Sequence, residues 1–151
     1  MFKLLLFSIF LCFASSSGKI EITVCENECP SSVYGTAIPI KEGEDLDEAL
    51  KPYLVHDTII YFFAASKAEF DFKLTLKTFQ NKKCSFKRFP GAMNFDIYMN
   101  IDSVYSTGEL SFEEVDLYFV STKNTPLRID ALTFIDTQIE FDGVNSELYV
   151  G

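Results

Sequence analysis

A ten-residue pattern occurs twice in this chain at a spacing of 22. Leu110-Ser-Phe112-Glu-Glu-Val115-Asp-Leu117-Tyr-Phe119 matches Leu132-Thr-Phe134-Ile-Asp-Thr137-Gln-Ile139-Glu-Phe141 position for position. Each copy holds two short apolar alternations broken by polar or mixed residues. The same interval before Val115, Leu117 and Phe119 falls on Met93, Phe95 and Ile97, and Phe70, Phe72 and Leu74 lie 23 residues before those. A fixed period of this size predicts a solenoid. In a coil of parallel strands, matching positions stack about 4.8 Å apart. No single turn can bury its own apolar face, so interior columns must form. The spacing predicts one column of Phe95, Leu117 and Ile139 and another of Phe112 and Phe134.

The rest of the chain fits an all-β reading. Residues 19–24 alternate with period two and predict a strand. Residues 25–40 read as irregular, with Pro30, Gly35 and Pro39 as breakers. Leu46, Ala49 and Leu50 share a helical face, acids crowd the first turn where the helix dipole favours them, and Pro52 limits the helix to about two turns. Residues 57–63 form an apolar run short enough for a buried strand. From residue 70 onward alternation dominates, and ten of the twelve phenylalanines beyond residue 17 lie there. That half must supply most of the core.

Leu46-Asp-Glu-Ala-Leu-Lys, then Asp57-Thr-Ile-Ile-Tyr, then Phe72-Lys-Leu-Thr-Leu resembles the N-terminal end of right-handed parallel β-helix proteins of the pectin-lyase-like class. The resemblance covers residues 44–151 and implies a short helix capping the open end of the coil, then an Asp-Thr-Ile strand, then the first full turns. His56 stands where that pattern has Gly, and Ala64-Ala65-Ser66-Lys67 replaces its Pro-Gly-x-Tyr. The competing fold is a leucine-rich-repeat-like solenoid. Ile129-x-x-Leu132-x-Phe134-x-x-Thr137-x-Ile139 fits its first half, but Val115 and Thr137 stand where Asn or Cys belongs. A β-sandwich gives no reason for an offset of 22.

Phe2 to Ala14 form an apolar run interrupted only by Lys3 and Ser8, followed by Ser15-Ser16-Ser17-Gly18. This is the pattern of a secretory signal peptide. The run is about 13 residues, short of the ~20 needed to span a bilayer. The expected organisation is a leader over residues 1–17, an N-terminal strand and Cys-containing loop over 18–43, and the cap and first turns over 44–151. The end of the chain, Glu147-Leu148-Tyr149-Val150-Gly151, reads as a strand beginning with no cap, so the expectation is the front portion of a longer coil or an edge covered by a partner or another copy. Localisation is therefore expected to be secreted or extracellular surface, where cysteines pair. Cys25, Cys29 and Cys84 are the disulfide candidates, and an odd number leaves one free or paired between chains.

Charge is segregated. Residues 67–88 carry seven bases and two acids, while the stretches on either side are net acidic, and the chain totals −9. A balance of this sign argues against a general nucleic-acid partner. The basic stretch is expected to point its lysines to solvent beside neighbouring acids. One histidine and three cysteines beyond the leader exclude a His-rich or all-cysteine zinc site. No phosphate loop, nucleophile elbow or zinc-protease motif is present, and no cofactor is expected. His56 reads as a turn residue. In the 22-residue register Glu114 stacks on Asp136, Asp116 on Gln138, and Asp96 aligns with Tyr118 and Glu140. Glu114, Asp116 and Asp136 thus form a candidate cation site, although solvated outer-face acids are the ordinary outcome. The functional expectation is a non-catalytic structural or adhesive segment meeting carbohydrate or protein at a cell surface, with edge-to-edge self-association and no membrane span. The alternative is a carbohydrate-active β-helix enzyme, or the front of one, which would gather acids with an arginine or lysine on one outer face.

Overall fold

The computed structural model describes residues 18–67, 69–102, 107–123, 127–143 and 148–150. The expected leader lies outside these residues. The described chain is mostly strand, and both of its sheets are parallel. The strands are β1 (Lys19–Glu26), β2 (Thr36–Ile40), β3 (Thr58–Ala64), β4 (Phe70–Thr75), β5 (Lys83–Arg88), β6 (Phe95–Asn100), β7 (Thr107–Glu113), β8 (Asp116–Ser121), β9 (Leu127–Ile135), β10 (Gln138–Gly143) and β11 (Leu148–Val150). The first sheet runs β11-β9-β7-β5-β3-β1-β2 and the second β10-β8-β6-β4. From β3 onward, successive strands therefore fall in alternate sheets.

Period-two alternation sends one face of each strand inward. Ile59, Tyr61 and Phe63 of β3, Phe86 of β5 and Phe112 of β7 meet Phe72 and Leu74 of β4, Ile97 and Met99 of β6, and Leu117 and Phe119 of β8 in one core. Contacts between the sheets include edge-on aromatic pairs, Phe63 with Phe72 at 4.9 Å and Phe112 with Phe119 at 6.4 Å, and a tilted pair, Phe63 with Phe95 at 5.8 Å. Within the first sheet the rings lie nearly parallel instead.

The offset of 22 holds where it is clearest. Leu110 pairs with Leu132 and Phe112 with Phe134, while Leu117 pairs with Ile139 and Phe119 with Phe141. Earlier turns differ. Phe70 pairs with Phe95, 25 residues on, and Ile97 pairs with Leu117, 20 residues on. The interior column is therefore Ile97, Leu117 and Ile139, and Phe95 is not its first member. Alternation fixes which face a residue takes, but a slip of two residues leaves the face unchanged. The connections set the register instead. Between β4 and β5 the chain inserts a 3-10 turn, Leu76–Phe79, whose Leu76 and Phe79 are buried.

The stretch expected to be irregular contains β2. Pro39 is tolerated there because, among the described residues, β2 is an edge strand with one neighbour, β1. Its Ile38 and Ile40 alternate inward into the core. The loop between β1 and β2 folds over the outer face of the first sheet. Tyr34 packs on Phe62 at 4.5 Å and on Phe89 at 5.4 Å, and its backbone N–H donates to Thr23 Oγ1 at 3.0 Å. Thr23 and Cys25 are consequently buried although they point away from the core. Cys25 and Cys29 are disulfide-bonded and Cys84 is a buried free thiol.

The expected helix is α1 (Leu46–Leu50), extended by a 3-10 turn over Lys51–Tyr53 that contains Pro52. Asp45 caps it by accepting from the Glu48 N–H at 3.3 Å. Leu46 and Leu50 enter the core beside β4. Asp47 accepts from the Thr75 N–H at 3.0 Å and from Thr78 Oγ1 at 2.8 Å, tying the helix to the end of β4. No helix among the described residues is long and apolar enough to cross a membrane.

Candidate functional site

The outward residues of the second sheet form three rows across its strands. Asp71, Asp96, Asp116 and Gln138 make the first. Lys73, Tyr98, Tyr118 and Glu140 make the second. Thr75, Asn100, Val120 and Asp142 make the third. Asp96 thus neighbours Asp116 and not Tyr118, as the two-residue slip requires. Tyr98 and Tyr118 stack at 4.8 Å and 12° from parallel.

Three carboxylates directly opposed along parallel strands repel one another. Partial burial, joined by the charges of Asp71, Asp116 and Glu140, holds the Asp96 carboxyl above the ordinary range. Loss of water and the acids around it, Asp71 first, push the Tyr98 phenol up. Tyr118 is raised as well, chiefly by Asp96 and Glu140. These shifts report an unbalanced negative field over half-buried groups.

The outer face of the first sheet is organised oppositely. Lys83 meets Glu109 at 2.7 Å, Lys87 meets Glu113 at 2.8 Å, and Arg88 meets Glu114 at 2.9 Å. The lysine pairs are cross-strand neighbours of β5 and β7. Lys82 also pairs with Asp57 and Lys67 with Glu26. Much of the basic stretch thus faces neighbouring acids, as expected.

Glu114, Asp116 and Asp136 line one surface recess together with Arg88, Asn94, Phe95 and Gln138. Glu114 and Asp136 occupy equivalent left-handed turns, with φ of 54° and 46°, before β8 and β10. The Glu114 N–H donates to the Ile135 carbonyl at 3.0 Å, which holds the two turns in register. Arg88 Nη2 donates to Glu114 Oε2 at 2.9 Å and Nη1 to Asn94 Oδ1 at 2.8 Å. The charge beside Glu114 is therefore a guanidinium. Among the described residues no three His, Cys, Asp or Glu side chains form a group that could hold a metal ion. The stacking of Glu114 on Asp136 follows from the repeat. The approach of Arg88 does not, because it depends on the 26-residue step from β5 to β7.

The surroundings of two further groups were unreadable in the sequence. Glu26 ends β1 as a buried carboxylate whose Oε2 accepts from the N–H groups of Ser66 and Lys67, both at 2.9 Å, and from Ser66 Oγ at 3.2 Å. Burial opposes its ionisation, but these bonds and the Lys67 ammonium outweigh it, and its carboxyl lies below the ordinary range. Cys84 faces the core next to Ile59 in register, and burial pushes its thiol up to about 12. Such a thiol is no nucleophile at neutral pH. His56 lies in the turn before β3, as expected.

No protein-family model, no curated protein and no solved structure matches the chain.

Proposed function

We propose that the chain is a secreted or cell-surface parallel β-helix of the pectin-lyase-like type, with α1 as its cap and a structural or adhesive role. The observation that carries this reading is the passage of β3 to β11 through two parallel sheets in turn, each strand from β5 onward lying on its last-but-one predecessor. A leucine-rich repeat would have helix or irregular turns where β4, β6, β8 and β10 stand. The apolar leader supports export. The acid and tyrosine rows supply an outward-facing, regular surface of the kind a binding coil offers.

The test is production of the full chain with a C-terminal tag in a secretory host. The product should leave the cell without residues 1–17, by mass, and remain on the cell surface until a salt wash. Retention inside the cell with the leader intact overturns the reading. A second reading, a carbohydrate-active coil, draws on Arg88 standing among Glu114, Asp116 and Asp136. It requires new reducing ends from a polysaccharide and their loss in R88A.

A further inference from the structure

We infer that the Cys25–Cys29 disulfide is a redox-sensitive strap: when a dithiol reduces it, residues 28–33 come away from the outer face of the first sheet while both sheets stay folded. This goes beyond the binding role proposed above and does not depend on it.

The strap lies where the outer face turns apolar. The outward residues of β3 include Ile60, Phe62 and Ala64, whereas the register partners of Ile60 and Phe62 on β5 are Ser85 and Lys87. Ala64 is 7% exposed, and its register partner on β1 is the fully buried Cys25. The loop from β1 to β2 covers this ground with residues that do little to hold it, since Glu28, Pro30, Ser31 and Ser32 are all exposed.

The loop is pinned at two points instead. At its far end Tyr34 packs on Phe62 and Phe89, and its N–H donates to Thr23 Oγ1. At its near end the Asn27 N–H donates to the Ile40 carbonyl at 2.8 Å, and the disulfide then turns the chain back. A segment with few apolar contacts opens readily once one of its pins is removed.

The bond is reachable from one side. Cys29 is partly exposed, and it borders a surface recess of about 620 Å³ together with Pro30, Ala64, Ala65, Phe89 and Pro90. A thiolate entering there attacks the Cys29 sulfur, and Cys25 leaves. The second thiol of the dithiol then displaces Cys29, so the dithiol is oxidised to a disulfide and its two protons end on Cys25 and Cys29. Cys84 takes no part, because it faces the core on the opposite side of the sheet. The fold survives the loss. A bond with a sequence separation of 4 removes little entropy from the unfolded chain.

The experiment treats the full chain, produced with the bond formed, with dithiothreitol and follows backbone order by NMR relaxation. Order parameters over residues 28–33 should fall from about 0.85 to below about 0.6, while Tyr34 keeps its value. Glutamyl endopeptidase should cut after Glu28 about tenfold faster or more. The C25S/C29S variant should show both effects without reductant. Iodoacetamide should label Cys25 and Cys29 in the reduced chain and leave Cys84 untouched, and far-UV circular dichroism should not change. Unchanged order and cleavage after reduction overturn the inference, as does a bond that dithiothreitol leaves intact. Loss of the strand signal or labelling of Cys84 would mean that the bond holds the whole fold, and release of Tyr34 together with residues 28–33 would mean that the second pin does not exist; either result overturns it too.

Discussion

Phe86 and Phe112 lie face to face on neighbouring strands, their ring centroids 5.0 Å apart and 11° from parallel. Tyr61 continues the stack on one side at 5.3 Å and Phe134 on the other at 5.7 Å. The four are register partners across β3, β5, β7 and β9. Parallel strands carry identical positions past one another at every step, so one aromatic position becomes a column. The columns join each turn to the next.

Truncation in the middle of that column should be costly. Phe112 is fully buried, and F112A is expected to destabilise by about 3–5 kcal/mol in urea unfolding. F141A removes the same atoms from a half-exposed site and should cost about 1 kcal/mol or less. Equal costs would mean that the column does not carry the fold.

Glu26 gives stability a dependence on acid. Its folded carboxyl lies below the ordinary value of 4.5, so its contribution is complete above that pH and is lost as pH falls through the lowered value. E26Q keeps an acceptor without the charge and should cost about 1–2 kcal/mol at pH 7. The gap between variant and parent should narrow below about pH 4.5. A gap that stays constant to pH 3 would place the role of Glu26 in shape alone.

Asp96 has the opposite sign. Its folded carboxyl is raised, so ionisation opposes folding, and the penalty appears as pH rises through the raised value. D96N should therefore stabilise at pH 7, by a few tenths to about 1 kcal/mol. That corresponds to roughly 1–4 °C in Tm for a domain of this size. The gain should shrink in high salt and vanish in acid. A loss at pH 7 would show that Asp96 makes a favourable contact outweighing the repulsion.

Alternation made the inward face of nearly every strand legible, because period two reports the face directly. The repeat also placed Phe112 on Phe134 and Asp116 on Gln138 correctly. It failed for Phe95, where a slip of two residues preserves the face while changing every neighbour. That slip concealed the Asp71–Asp96–Asp116 row and the Tyr98–Tyr118 pair. The approach of Arg88 to Glu114 was hidden for a similar reason, since 26 residues separate them and the regular repeat predicts 22. The β2 strand was masked by Pro39, whose cost disappears at a sheet edge. Glu26 looked like any surface acid, because nothing local announces that residues 66 and 67 will donate to it.

The loop over the first sheet turns on Gly35. Its φ is +64°, and a Cβ there would run into the carbonyl oxygen of Glu21 on β1. Backbone cannot move aside as a flexible side chain can. G35A must therefore lift the loop or part β1 from β2, and either releases Tyr34 from Thr23 and from Phe62. Left-handed strain alone costs an alanine about 1–2 kcal/mol. The clash should bring the total to at least about 3 kcal/mol. Gly43 is the control, because its φ is +84° and nothing lies within 4 Å of the Cβ it would gain. G43A should show the conformational cost alone, about 1–2 kcal/mol. Urea unfolding measures the difference, and the near-UV tyrosine signal should fall in G35A while G43A retains it. If both variants lose the same stability and keep the signal, the loop is not held by the approach of Gly35 to Glu21.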